Sequence, residues 1–89
     1  MKIEFLDTDK GESIIEDLKN DGWQIKKEYP LVYDKGIDYD YCVLKKAGKK
    51  LRFEWSNWFE WEVTGDASSL LELSNKYHLE ITKKRLWLR

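Results

Sequence analysis

At 89 residues the chain has the length of one domain, and we expect residues 1–89 to form a single unit. Its 16 basic and 17 acidic residues leave a formal net charge of −1, so no global field draws the protein toward nucleic acid or an anionic membrane. The single cysteine, Cys42, excludes an internal disulfide, and no apolar run approaches the ~20 residues of a membrane helix. We therefore expect a reducing, cytoplasmic setting and no membrane partner.

The first third of the chain predicts a strand, a helix and a second strand. Alternating residues at 2–6 are typical of a short strand. Asp9, with an acid three residues later, has the pattern of a helix N-cap, and Gly22 suits the left-handed residue that follows a helix. Between them, one apolar helical face is formed by Ile14, Ile15 and Leu18. The second strand is predicted to start at Trp23 and to run toward Tyr29.

The middle of the chain predicts a long loop and then three strands. Pro30 cannot donate to a sheet ladder and residues 34–36 have turn chemistry, so residues 30–37 are predicted to be a loop. Strands at 39–46, 51–55 and 59–64 follow. They are joined by turns at Ala47-Gly48 and at residues 56–58.

The register of the last hairpin is predicted from its apolar alternation. A three-residue loop at 56–58 places every apolar residue of both strands on one face, whereas a two-residue loop sets rings against glutamates. The predicted pairs are Leu51–Val63, Phe53–Trp61 and Trp55–Phe59. On the opposite face this register brings Glu54 against Glu60.

The last third of the chain predicts a helix capped by Asp66, with an apolar face of Leu70, Leu73 and Tyr77. Leu79 and Ile81 alternate as a last strand, and the tail 85–89 is apolar enough to dock on the domain. The fold class is therefore α+β, an antiparallel β-meander sheet of about four to six strands with two helices packed on one face, in the order β-α-β-β-β-β-α-β. The expected core sets one sheet face against both helices and consists of Phe53, Trp55, Phe59, Trp61, Ile14, Leu18, Leu70 and Leu73.

The sequence contains no pattern typical of a zinc site, a calcium site or a phosphate-binding loop. One cysteine and one histidine cannot supply the four ligands of a structural zinc site. The acidic residues Asp34, Asp38 and Asp40 lack the spacing of an EF-hand loop, and the five glycines are scattered rather than gathered in a phosphate-binding loop. We expect no metal and no cofactor.

Catalysis would have to use a Cys42–His78 dyad or a pair of carboxylates, Glu54 and Glu60. A lone cysteine in an apolar strand is more typical of the core, and glutamates are common on exposed strand faces. We therefore expect a protein that is not an enzyme.

Aromatic residues around the turns indicate a binding role. Trp58 is out of phase with the apolar set, and interfaces favour Trp, Tyr and Arg. The candidate interaction surface consists of Trp58, Tyr33, Tyr39, Tyr41, Lys49, Lys50 and Arg52. The expected function is a small cytoplasmic protein-interaction module, such as an adaptor, an inhibitor or an immunity-type protein, whose partner is another protein or a second copy of itself.

Two alternatives stay open. The lysine-flanked aromatic hairpin at 45–61 is also a pattern for binding single-stranded nucleic acid, through phosphate contacts and base stacking. The glutamates among its aromatic residues oppose this hypothesis, because they repel phosphate. The third hypothesis is a small-ligand binder with a pocket between the helices and the sheet.

Overall fold

The computed structural model describes residues 1–28 and 39–82, which form one five-stranded antiparallel sheet and two helices. In chain order the elements are β1 (Ile3–Leu6), α1 (Thr8–Asn20), β2 (Gln24–Glu28), β3 (Tyr39–Lys46), β4 (Lys49–Ser56), β5 (Glu60–Gly65) and α2 (Ala67–Tyr77). Across the sheet the strands lie in the order β1-β5-β4-β3-β2. The predicted α+β meander is confirmed.

The chain after α2 does not form the predicted regular strand within the described residues. A single antiparallel bridge joins Lys2 to Thr82, with two backbone hydrogen bonds of 3.0 and 2.7 Å. The bridge adds one rung beside the edge strand β1. The predicted loop at 30–37 and the predicted docking of the tail 85–89 lie outside the described residues.

Helix α1 begins two residues earlier than the sequence pattern predicts. Its N-cap is Asp7, whose carboxylate accepts a hydrogen bond of 3.1 Å from the amide of Lys10, and not Asp9, which lies in the first turn. Asp7 has an extended backbone (ψ 138°) and follows β1 directly, so the strand passes into the helix without a loop.

Helix α2 begins at its predicted cap. The carboxylate of Asp66 accepts hydrogen bonds from the amide and the hydroxyl of Ser69, at 3.2 and 2.8 Å. The helix ends at His78, which adopts the left-handed conformation (φ 58°). Within the described ranges, neither helix has the length and apolarity needed to cross a membrane.

Both helices contribute to one core on the inner face of the sheet. The buried residues of the core are Ile3, Leu6, Ile14, Leu18, Trp23, Cys42, Leu44, Leu51, Phe53, Trp61, Val63, Leu70 and Leu73. Trp55 is only partly buried at the margin, where its indole donates a hydrogen bond of 2.9 Å to the hydroxyl of Thr8. The predicted helical residues are thus confirmed as the partners of the sheet.

The register of the β4–β5 hairpin differs from the predicted one by two residues. The observed pairs are Leu51–Gly65, Phe53–Val63 and Trp55–Trp61, and the loop consists of residues 57–59. A shift of two residues preserves which side chains face the core, so apolar alternation does not distinguish the two registers. Phe59 is therefore wrongly predicted as a core residue, since it lies in the turn and is exposed.

The observed register depends on Gly65. A Cβ atom at this position would lie 2.3 Å from the backbone oxygen of Lys50, so only glycine permits this close approach of β5 to β4.

Candidate functional site

The face of the sheet opposite the helices, here called the outer face, carries most of the chemistry. It is formed by the residues that alternate with the core set along each strand. These include Lys2, Glu4, Tyr41, Lys45, Lys50, Arg52, Glu54, Glu62 and Thr64. No helix among the described residues covers this face.

Ion pairs cross the middle of the outer face. Glu54 lies directly opposite Glu62 in the β4–β5 ladder, and like charges at that spacing repel. Each glutamate forms an ion pair with a neighbouring cation, which reduces this repulsion. The ammonium group of Lys2 lies 2.5 Å from a carboxylate oxygen of Glu62, and the guanidinium of Arg52 lies 3.4 Å from a carboxylate oxygen of Glu54. The hydrogen bond to Glu62 raises the pKa of Lys2.

The predicted pairing of Glu54 with Glu60 is wrong. The carboxylate of Glu60 accepts a hydrogen bond of 2.9 Å from the backbone amide of Thr8, at the start of α1. Glu60 therefore binds one of the free amides of the helix N-terminus, and the two glutamates do not form a paired acid/base site.

One end of the outer face is aromatic. Phe5, Trp58 and Phe59, together called the aromatic end, have exposed fractions of 67%, 83% and 53%. The rings of Phe5 and Phe59 meet edge to face with their centroids 5.9 Å apart. A shallow pocket of about 210 Å³ lies beside these two rings and is completed by Lys2, Glu4 and Glu62. Apolar rings are thus combined with a charged rim.

Phe5 is the residue of the aromatic end that the sequence did not single out. A bulge between Ile3 and Leu6 interrupts the β1–β5 register, and Phe5 has a left-handed backbone (φ 55°) within it. The signal was present in the sequence, because the neighbours Phe5 and Leu6 cannot both face the core of a regular strand. The bulge resolves this conflict by burying Leu6 and turning Phe5 outward.

The other end of the sheet is basic. Ala47 and Gly48 form the two-residue turn between β3 and β4, and both have a positive φ, at 50° and 82°. Two pairs of lysines face each other across this hairpin, Lys45 opposite Lys50 and Lys46 opposite Lys49.

Lys46 and Lys49, the pair on the inner face, are neutralised by acidic residues of the two helices and their caps. Lys46 donates hydrogen bonds to the carbonyl and the carboxylate of Asp21, and Lys49 lies 3.8 Å from the carboxylate of Glu72. Lys45 and Lys50 form the pair on the outer face. In the described part of the chain, no ion pair joins either of them to a carboxylate.

The seven residues predicted to form one interaction surface are distributed over several places. Tyr33 lies outside the described residues, and Tyr39 is the first residue of β3, paired with Ser56. The ring of Tyr41 lies under the guanidinium of Arg52, at 4.8 Å from its centroid. Lys50 extends the outer face beside them, whereas Lys49 points toward α2.

Trp58 and the lysines lie at opposite ends of β4. This strand has 8 residues, so its ends are roughly 23 Å apart at 3.3 Å per residue. Trp61 lies on the inner face in the core, and Trp55 is partly buried there. The hairpin thus does not place its exposed tryptophan beside its lysines.

The inner face holds a cleft of about 300 Å³ between α1 and the β2–β3 edge. Its lining includes Glu12, Ile15, Cys42 and Trp61. His78 lines a different pocket, beside β1, so the structure does not bring the two members of the hypothetical dyad into one site. No group of three potential metal ligands occurs in the ranges 1–28 and 39–82.

The chain matches no family model, no curated protein and no solved structure. Relatives therefore supply no activity, substrate or partner. What can be inferred about function comes from the geometry of the aromatic end, the basic turn and the inner cleft.

Proposed function

We propose that this protein is a small, non-catalytic protein-interaction module that binds its partner through the aromatic end. The observation that carries the proposal is Phe5, which is both exposed and held in a left-handed conformation. A residue other than glycine in this conformation destabilises the fold by on the order of 1 kcal/mol or more. The bulge that buries Leu6 accounts for the backbone conformation of Phe5, but core packing does not account for an aromatic side chain at this exposed position.

The neighbouring rings support the same role. Phe59 contacts Phe5, and Trp58 projects from the tip of the β4–β5 turn. Large aromatic side chains bury much apolar area and lose little conformational entropy, which is why they are enriched among the residues that dominate interface energies. Three such rings at one end of an 89-residue chain form a compact anchor.

The charged rim indicates the chemistry of the partner. Lys2, Glu4 and Glu62 lie beside the two phenylalanine rings and provide both signs of charge. A protein surface with an apolar depression and polar groups around it complements this arrangement. An adaptor, an inhibitor or an immunity-type protein would use such an anchor, and a cytoplasmic setting is part of the proposal because Cys42 is a free thiol.

Two other functions have weaker support. Single-stranded nucleic acid needs cations beside stacking platforms, but the lysines and Trp58 lie at opposite ends of β4. A small ligand could enter the inner cleft, whose walls are apolar on one side and acidic at Glu12 and Glu16. Neither site brings exposed aromatic rings together as the aromatic end does.

The experiment compares three single variants by affinity capture from cell extract, followed by calorimetry with the purified partner. Trp58→Ala and Phe5→Ala should each weaken binding by roughly thirtyfold, the effect expected for a residue that contributes about 2 kcal/mol to an interface. Leu71→Ala is the matched control, because Leu71 is an exposed apolar residue on α2. Sedimentation of the protein alone shows whether the partner is a second copy.

Equal affinity of all three variants for the captured protein would contradict the proposal. Salt-sensitive binding of a short oligonucleotide, lost on Trp58→Ala, would favour the nucleic-acid alternative instead.

A further inference from the structure

The outer face near the Ala47-Gly48 turn contains an unusual concentration of positive charge. Lys45 and Lys50 are direct neighbours across the β3–β4 ladder, where Cβ atoms are about 5 Å apart. Like charges in this position repel and destabilise the hairpin. Neither lysine forms an ion pair with a carboxylate among the described residues.

A pocket lies beside Lys45, whose cross-strand neighbour is Lys50. It has a volume of about 410 Å³ and is lined by Lys26, Lys45 and Lys46 together with Gln24 and the backbone of the turn. Lys26 is exposed and, like Lys45, forms no ion pair in the described part of the chain. Lys46 is already paired with Asp21, so the pocket combines the two unpaired ammonium groups of Lys26 and Lys45 with a side-chain amide. Its volume is in the range that small ligands occupy.

The number of charges favours one class of anion. A single carboxylate carries one negative charge and neutralises one lysine. A terminal phosphate carries a charge of about −1.5 to −2 and three acceptor oxygens, so it can bridge two lysines at once. A chain of linked phosphates extends this match to Lys26, the other unpaired lysine of the pocket.

We infer that the pocket at the Ala47-Gly48 turn binds a small polyphosphate, either an inorganic polyphosphate or a nucleoside di- or triphosphate. The repulsion between Lys45 and Lys50 is then relieved when the ligand is bound. The inference is independent of the protein-binding role, because the aromatic end lies at the other end of β4.

The structure also predicts how stability and binding are related. Glutamate at position 45 converts the repulsive cross-strand pair with Lys50 into an attractive one. Lys45→Glu should therefore raise the melting temperature of the free protein while it weakens polyphosphate binding. A loss of binding caused by misfolding would instead lower the melting temperature, so the two explanations are distinguishable.

The test titrates inorganic tripolyphosphate into the wild-type protein and follows amide chemical shifts by NMR. Amide shifts are expected at Lys26, Lys45 and Gly48, and the affinity should fall as salt is added. Lys45→Glu and Lys26→Glu should each weaken tripolyphosphate binding at least tenfold. Lys10→Glu, which makes the same charge change on the exposed side of α1, should leave it within twofold.

Further probes identify the source of the phosphates. Tighter binding of ATP than of tripolyphosphate indicates a nucleotide, and equal binding indicates that the phosphates alone are recognised. The inference is overturned if Lys10→Glu weakens binding as much as Lys45→Glu. It is also overturned if tripolyphosphate produces no shifts, or if a hexaglutamate peptide or an oligothymidylate binds more tightly than tripolyphosphate.

Discussion

At the scale of single residues, Gly11 shows how closely α1 approaches the sheet. A Cβ atom at this position would lie 2.2 Å from Cδ1 of Trp61, well inside contact distance. The indole of Trp61 also donates a hydrogen bond of 3.1 Å to the carbonyl of Thr8, one turn earlier in the same helix. Helix α1 therefore packs directly against Trp61. The hydrogen bond to Thr8 holds the two together, and the small size of Gly11 permits the close approach.

Gly11→Ala should therefore destabilise the protein, although alanine is the better helix former. Helix propensity favours alanine by about 1 kcal/mol, but overpacking at a buried contact costs about 1–3 kcal/mol. We expect a net loss of about 1 kcal/mol in the free energy of unfolding, measured by urea titration. Ser13→Ala, at an exposed position of the same helix, should be neutral or slightly stabilising. A Gly11→Ala protein more stable than wild type would contradict the contact.

At the scale of elements, Asp66 connects α2 to the sheet. One carboxylate oxygen accepts from the backbone amide of Lys50 at 2.9 Å, and the other caps the helix through Ser69. The hydrogen bond from Lys50, followed by that from the Ser69 hydroxyl, holds the pKa of Asp66 far below its usual value of 3.8. The charged carboxylate is therefore favoured in the folded protein.

The lowered pKa of Asp66 predicts a loss of stability in acid. Its contribution is complete above the usual pKa of about 3.8 and decreases as the pH falls below that value, because the unfolded chain binds the proton more readily. Asp66→Asn keeps a capping side chain but removes this titration. In urea unfolding at pH 7, 4 and 2.5, the variant should lose less stability toward acid than wild type. Asp9→Asn is the matched control, and the same acid dependence in both variants would contradict the assignment.

At the scale of the whole molecule, Tyr77 joins the two helices across 60 residues of sequence. Its hydroxyl donates a hydrogen bond of 3.0 Å from the end of α2 to the carboxylate of Asp17 in α1. Burial, followed by the hydrogen bond to Asp17, raises the pKa of Tyr77 to about 12. This hydrogen bond links α1 to α2 directly, on the side of the sheet that both helices cover.

The raised pKa of Tyr77 predicts a loss of stability in alkali. The folded protein holds the phenolic proton more tightly than the unfolded chain, so this contribution is complete below pH 10 and is lost as the pH rises from 10 to about 12. Tyr77→Phe removes the titration. Between pH 8 and 11.5, wild type should lose more unfolding free energy than Tyr77→Phe, as measured by urea titration. Parallel losses in the two proteins would contradict the prediction.

The sequence by itself determined the type and order of the seven elements from β1 to α2 and the residues that face the core along most of them, but not the exact start of α1. Periods of two and of about 3.6 residues place apolar side chains on one side of each strand and helix, and burial of those sides fixes the α+β class. The same patterns identified Asp66 as a cap and Trp58 as out of phase with the core. These features are local, because they depend on the spacing of residues a few positions apart.

Only the tertiary structure decided three features: the register of β4 with β5, the bulge in β1, and the distance between the lysines of the basic turn and the ring of Trp58. A shift of two residues leaves the alternation of β4 and β5 unchanged, so the choice was made by contacts between distant residues, such as Gly65 against Lys50. Phe5 is turned outward because β1 must pair with β5 while Leu6 is buried. The lysines and Trp58 lie close in sequence but at opposite ends of an extended strand, since each residue advances the chain by about 3.3 Å.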